Sequence, residues 1–180
     1  MSTKTTIPSF FIILFAFLVL ACSSGENANN TSSQKTYDNP FEYCKAVGTI
    51  DTPGSEYIGP KMPDAISEKL RRDWGVSESM PVDMFNDGTY WRCMDGNVYA
   101  CNVGNNLPCQ DKADVSKEPN DGMLNYCGEN PDAEFIPMFA SGRTTVYEWK
   151  CDDGTPEIVK QIAETDKAGY IKSIWYEITP

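Results

Sequence analysis

The 180-residue sequence contains no histidine. That absence removes the usual general base at neutral pH, the Ser-His and Cys-His dyads, and the commonest zinc ligand. An enzyme built from these residues would have to run on carboxylates, Tyr, Lys or a bound ion. No two of the seven cysteines stand in a Cys-x-x-Cys spacing. This argues against a zinc site and against a thioredoxin-like redox role, so no metal and no cofactor is expected. Positive charge is scarce: 15 Lys+Arg face 26 Asp+Glu, a formal net charge of −11. Such a surface repels nucleic acid and anionic headgroups, and no nucleic-acid partner is expected. Its other consequences are solubility and attraction to a basic protein or peptide. Long apolar runs are missing too. The run Phe10–Ala21 has 12 residues. As a helix it spans about 18 Å, well short of a bilayer core of about 30 Å.

A run of that length behind Lys4 fits the apolar segment of a signal peptide. It ends in Val19-Leu20-Ala21-Cys22, followed by Ser23-Ser24-Gly25. This stretch resembles the lipobox of bacterial lipoproteins. The resemblance implies cleavage after Ala21, diacylglycerol on the Cys22 thiol and acylation of the new amino terminus. The membrane is then a partner through the lipid anchor, and the chain is lipid-anchored in the bacterial cell envelope. Ser23 resembles the sorting pattern for the outer membrane of a Gram-negative cell. The expected organisation is a signal peptide over 1–21, a lipidated cysteine and Ser/Asn/Gly/Thr-rich tether over 22–39, and one disulfide-rich domain over 40–180.

Local signals place the elements of that domain. Asn39-Pro40 reads as an N-cap with proline at the first helical position, opening a helix to about Val47. Ile66 and Leu70, four apart, mark a helix over Pro63–Asp73 that Gly75 ends. Residues 89–103 read as a β-hairpin across Asp95-Gly96. A third helix is expected over Pro119–Glu129, then strands at Ile136–Phe139 and Thr144–Lys150. A closing hairpin is expected from Glu157–Glu164 and Tyr170–Ile178 across Asp166–Gly169. The fold class is α+β: short N-terminal helices followed by a small antiparallel sheet, stapled by three disulfides.

Cys44, Cys93, Cys101, Cys109, Cys127 and Cys151 form an even set in an oxidising compartment, so three bridges are expected. Cys93 and Cys151 hold equivalent positions on two strands, which suggests one bridge between them. A helix returning to a strand end suggests Cys109–Cys127, and Cys44–Cys101 follows by elimination. The equivalence comes from an internal echo. Trp91-Arg92-Cys93-Met94-Asp95-Gly96 is matched by Trp149-Lys150-Cys151-Asp152-Asp153-Gly154. Two readings account for it: a duplicated hairpin, or two disulfide-bearing strands that each end in an Asp-Gly turn.

The Asp, Asn and Gly clusters are turn residues first. An EF-hand starting at Asp83 would need an oxygen ligand where Phe85 stands and a Glu where Met94 stands. Chance carboxylate pairs are numerous and nothing marks one of them. The sequence therefore favours a non-enzymatic binding or structural module over a small envelope hydrolase working through a carboxylate pair. Trp91, Tyr147, Trp149 and Trp175 are the candidate binding aromatics. Tyr147 and Trp149, two apart on a strand, share a face. If solvated, such a face stacks on a glycan or grips a protein; if not, it is core.

Tyr147 through Lys150, Cys151, Gly154 and Val159 also resemble a short stretch of the membrane-bound inhibitors of C-type lysozyme. The shared pattern is Cys-x-x-Gly, here Cys151-Asp152-Asp153-Gly154, with Trp149 as the nearest aromatic. The resemblance covers under a tenth of the chain. It implies a small β-barrel and inhibition of a basic, envelope-targeting enzyme. Six cysteines and leading helices depart from that pattern.

Overall fold

The computed structural model describes residues 35–180. The signal peptide over 1–21, Cys22 and the tether up to residue 34 lie outside the described residues. Among those described, no helix is long and apolar enough to cross a membrane. The order of elements is α1 (Pro40–Val47), α2 (Asp64–Asp73), α3 (Val82–Asp87), β1 (Thr89–Met94), β2 (Asn97–Asn102), α4 (Asp121–Glu129), α5 (Met138–Ser141), β3 (Tyr147–Asp152), β4 (Thr155–Gln161) and β5 (Tyr176–Ile178). The fold is α+β with three disulfides, as the sequence implies. Its strands form two open antiparallel sheets, β1-β2-β5 and β3-β4, rather than one sheet or a closed barrel.

Helix ends follow the local chemistry. The Asn39 side chain accepts from the backbone N–H of Phe41 and Glu42 at 2.9 and 3.2 Å, and Pro40 fills the first helical position. Asn120 does the same for Met123 N–H at 2.9 Å, starting α4. Both hairpins turn on Asp-Gly. Asp95 and Gly96 have φ of 52° and 82°, and Asp153 and Gly154 have 48° and 79°. Paired positive φ values are what a two-residue turn needs to match the strand twist.

The first sheet is covered on both faces. Trp91, Cys93, Val98, Ala100 and Ile178 pack with Tyr43, Cys44, Ile66, Leu70 and Phe85 from the helices. Tyr90, Tyr99 and Cys101, on the opposite face, pack with Tyr170, Ile171, Ile174 and Trp175. The second sheet packs Trp149 and Cys151 on Met123, Cys127, Ile136 and Ala140.

Several sequence expectations are corrected. The bridges are Cys44–Cys93, Cys101–Cys109 and Cys127–Cys151, not Cys93–Cys151, Cys109–Cys127 and Cys44–Cys101. Cys93 and Cys151 do hold equivalent positions, but in two different sheets, so they are not neighbours. Residues 136–139 are not a strand. Pro137 has no N–H for a ladder, and α5 starts directly after it. Of the closing hairpin, the turn across Asp166–Gly169 forms, but Glu157–Glu164 and Tyr170–Ile178 do not pair as strands. β4 pairs back on β3 across the two-residue turn, and β5 joins β2. The segments meet just around the Asp166–Gly169 turn, through the bridge Thr165↔Ile171 and the bonds from Asp166 N–H to Tyr170 C=O and Lys172 N–H to Glu164 C=O.

The echo in the sequence has a structural counterpart. In each half, a helix starting at a capping Asn carries Tyr-Cys, as Tyr43-Cys44 and Tyr126-Cys127. Each helical cysteine is bonded to the cysteine of a Trp-basic-Cys strand. In each half the chain leaving the helix runs along the outer edge of that strand. Gly96 N–H donates to Gly48 C=O, and Gly154 N–H donates to Pro131 C=O. Cys93 N–H donates to Ile50 C=O, and Cys151 N–H donates to Ala133 C=O.

Candidate functional site

The aromatic stripe expected from the sequence is core. Trp91, Trp149 and Trp175 are only 5, 2 and 7% exposed, and Tyr147 is half-buried. No solvent-facing stacking platform is made from them. The indole N–H groups tell them apart. Trp91 donates to Lys61 C=O at 3.0 Å and Trp149 to Thr145 Oγ1 at 3.3 Å. The Trp175 indole N–H is buried and has no partner.

Trp175 lies in the wall between two depressions. The smaller, about 690 Å³, is lined by Met94, Tyr99, Glu164, Asp166, Lys172 and Glu177 among others. Two of its carboxylates are engaged. Asp166 pairs with buried Arg92 and accepts from the N–H of Ala168 and Tyr170 at 2.9 and 3.1 Å. Glu177 accepts from the Tyr99 hydroxyl at 3.2 Å. Burial, followed by the Glu177 charge, holds that phenol above its ordinary value. Two of the carboxylates in this groove thus serve as structural acceptors.

The larger depression is a cleft of about 810 Å³. One wall is the chain leaving Ile50, residues 51–54, with Tyr57, Gly59, Lys61 and Met62. Asn86 and Asp87 at the end of α3 lead to Thr89, Tyr90 and Trp91 of β1. Cys109, Gln110, Tyr170 and Trp175 complete it. Asp51 on the rim pairs with Lys112 at 2.6 Å, and that ammonium sits 3.8 Å from the Tyr170 ring centroid. The Cys101–Cys109 bridge ties one wall to β2.

Three lining side chains carry buried polar atoms without partners: Tyr57 Oη, Asn86 Oδ1 and Trp175 Nε1. Burial is also the main cause that pushes the Tyr57 phenol up, with the Asp38 charge second. A buried unpaired polar atom costs about 1–3 kcal/mol; three of the six among the described residues belong to side chains that line this cleft, the others being on Arg71, Trp74 and Arg92, and a group that reached them would relieve that cost. Such a group must both donate and accept hydrogen bonds. Gly59 is required where Tyr57 stands: a Cβ there would lie 2.4 Å from the Tyr57 hydroxyl oxygen and 2.5 Å from Asp38 C=O.

Of the candidate aromatics, Trp91 and Trp175 line the cleft and Tyr147 and Trp149 do not; Tyr147 packs against both the Trp175 cluster and the Trp149 cluster. Tyr57, Asn86 and Gln110 carry no sequence signal that marks them, because they come from three segments far apart in the chain, Asn86 from the end of α3 and the other two from loops. No family model, curated protein or solved structure matches this chain.

Proposed function

We propose that the protein is a non-enzymatic binding module, lipid-anchored through Cys22 in the bacterial envelope and held at the outer membrane of a Gram-negative host. Its ligand fills the cleft beside β1 and supplies both donors and acceptors. The observation that carries this reading is that three residues lining that one cleft, Tyr57, Asn86 and Trp175, each hold a buried polar atom without a partner. The engaged carboxylates of the smaller groove favour binding over hydrolysis. A basic protein or a glycan fits the acidic, aromatic-rich chain in general terms.

The test is a titration followed by NMR at the indole N–H resonances. The probes are N-acetylglucosamine oligomers and a pool of random nonapeptides. The Trp175 resonance is expected to move with one of them, while the Trp149 resonance, already bonded to Thr145, stays still. Asn86→Ala is expected to weaken that binding by about 1 kcal/mol, roughly fivefold, the worth of one hydrogen bond. A Trp175 indole that responds to neither probe would remove the basis of the reading. Hydrolysis of a probe, abolished by one Asp or Glu substitution in a folded variant, would replace it with the enzyme reading.

A further inference from the structure

We infer that the occupant of the cleft is an extended peptide segment that pairs antiparallel with the outer edge of β1 at Trp91; this rests on the binding-module reading above and names its ligand. The argument starts from the alternation of a strand. N–H and C=O of one residue point to the same side, and the next residue points to the other. Cys93 exchanges both bonds with Ile50, at 3.1 Å each. Cys93 therefore faces away from β2, and so does Trp91, two residues earlier. The hairpin confirms the phase: Met94 and Asn97 flank the two-residue turn, so Met94, Arg92 and Tyr90 are the residues bonded to β2. Among the described residues no hydrogen bond reaches the outward N–H or C=O of Trp91.

The cleft lies along that edge. β1 is the edge strand of its sheet. The lining includes Trp91 from the helix-covered face and Tyr90 with Trp175 from the opposite face. A cavity lined from both faces of a sheet must wrap its edge. Along the edge, the chain pairs with β1 only as far as Ile50, then departs through Asp51, Thr52 and Pro53.

The second half shows what fills the equivalent place. There the chain continues past Ala133, and Ile136 N–H donates to the Trp149 C=O at 2.8 Å. Trp149 is the counterpart of Trp91. An extended backbone thus occupies the edge of one hairpin at the tryptophan, and the cleft occupies it at the other. Addition of a strand to an open edge is an established mode of peptide recognition, with backbone bonds giving affinity and flanking pockets receiving alternate side chains. The two flanking sides here carry Tyr57 with Asn86, and Tyr170 with Trp175. The −11 charge of the chain favours a segment of net positive charge.

The experiment selects binders to the mature protein from a random nonapeptide library displayed on phage. The synthesised winner is then titrated, and amide hydrogen exchange is read at Trp91. Saturation is expected to slow Trp91 exchange at least tenfold. N-methylation of the peptide is expected to abolish binding at the one central position that faces Trp91 and to leave its two neighbours, whose N–H groups point away, within about threefold. Binding without protection of Trp91, or without this alternation, overturns the inference. Binding of N-acetylglucosamine oligomers, with no peptide recovered, also overturns it and leaves the binding-module reading standing. Failure of both probes removes both.

Discussion

Arg92 is the residue on which the region between the two depressions depends. It is fully buried on β1, with its guanidinium carbon 4.5 Å from the Tyr170 ring centroid and 4.4 Å from that of Trp175. Its charge is matched by Asp166, whose other oxygen holds the turn that delivers Tyr170. Removing one partner of a buried pair leaves an uncompensated charge, which costs about 3–5 kcal/mol. Asp166→Asn is expected to cost about 3 kcal/mol. The double variant Arg92→Met with Asp166→Asn is expected to recover part of that loss, because no charge is then stranded. Urea midpoints at an unchanged slope check both values. A double variant less stable than Asp166→Asn would mean that the stacked guanidinium matters more than its charge balance. In the sequence Arg92 is marked only as the basic member of an echoed motif. Nothing local says that a strand arginine is fully buried, since its carboxylate lies 74 residues away.

At the scale of elements, what was legible was what is local. The Asn39-Pro40 cap, both Asp-Gly turns and the ends of β1 and β2 depend on neighbours within a few residues, and the sequence shows them. The short helix α3 gave no signal, because six residues from Val82 to Asp87 cannot display a helical period. Residues 136–139 were misread because an apolar run looks like a strand until Pro137 is weighed. The disulfide pairing differs from the expected one at all three bridges; Tyr43-Cys44 and Tyr126-Cys127 beside the two echoed strands are the clue to two of them, and Cys101–Cys109 is a local closure. The loops closed differ greatly, with separations of 49, 8 and 24 residues. In the chain-entropy account the cross-link gain rises with loop length, which gives about 4 kcal/mol for Cys44–Cys93 and about 2.5 kcal/mol for Cys101–Cys109. Double alanine replacement is expected to rank the bridges in that order by urea unfolding. The short bridge has a second signature: Cys109 lines the cleft, so its removal is expected to disturb binding more than stability. Equal losses of stability from the two removals would show that strain or residual unfolded structure outweighs loop entropy.

For the whole molecule, the acidic surface and the leader bear on the same question, which is where the cleft does its work. Attraction between an acidic protein and a basic segment is screened over about 8 Å at 0.15 M salt and about 3 Å at 1 M. Long-range attraction is therefore weak under physiological conditions, and holding the protein in one compartment matters more than steering. Two or more acyl chains provide that, at about 0.8 kcal/mol per buried CH₂, whereas a single chain binds only reversibly. The proposed anchor is Cys22, which the structure does not describe and the leader sequence alone supports. Cys22→Ser is expected to yield either unprocessed precursor or protein released from the membrane fraction. The measurement is metabolic labelling with palmitate, followed by separation of membrane and soluble fractions. Wild-type protein should carry label and sediment with membranes. If the Cys22→Ser protein takes up label as strongly as wild type, the lipobox reading is wrong, and the envelope address proposed for the cleft loses its support.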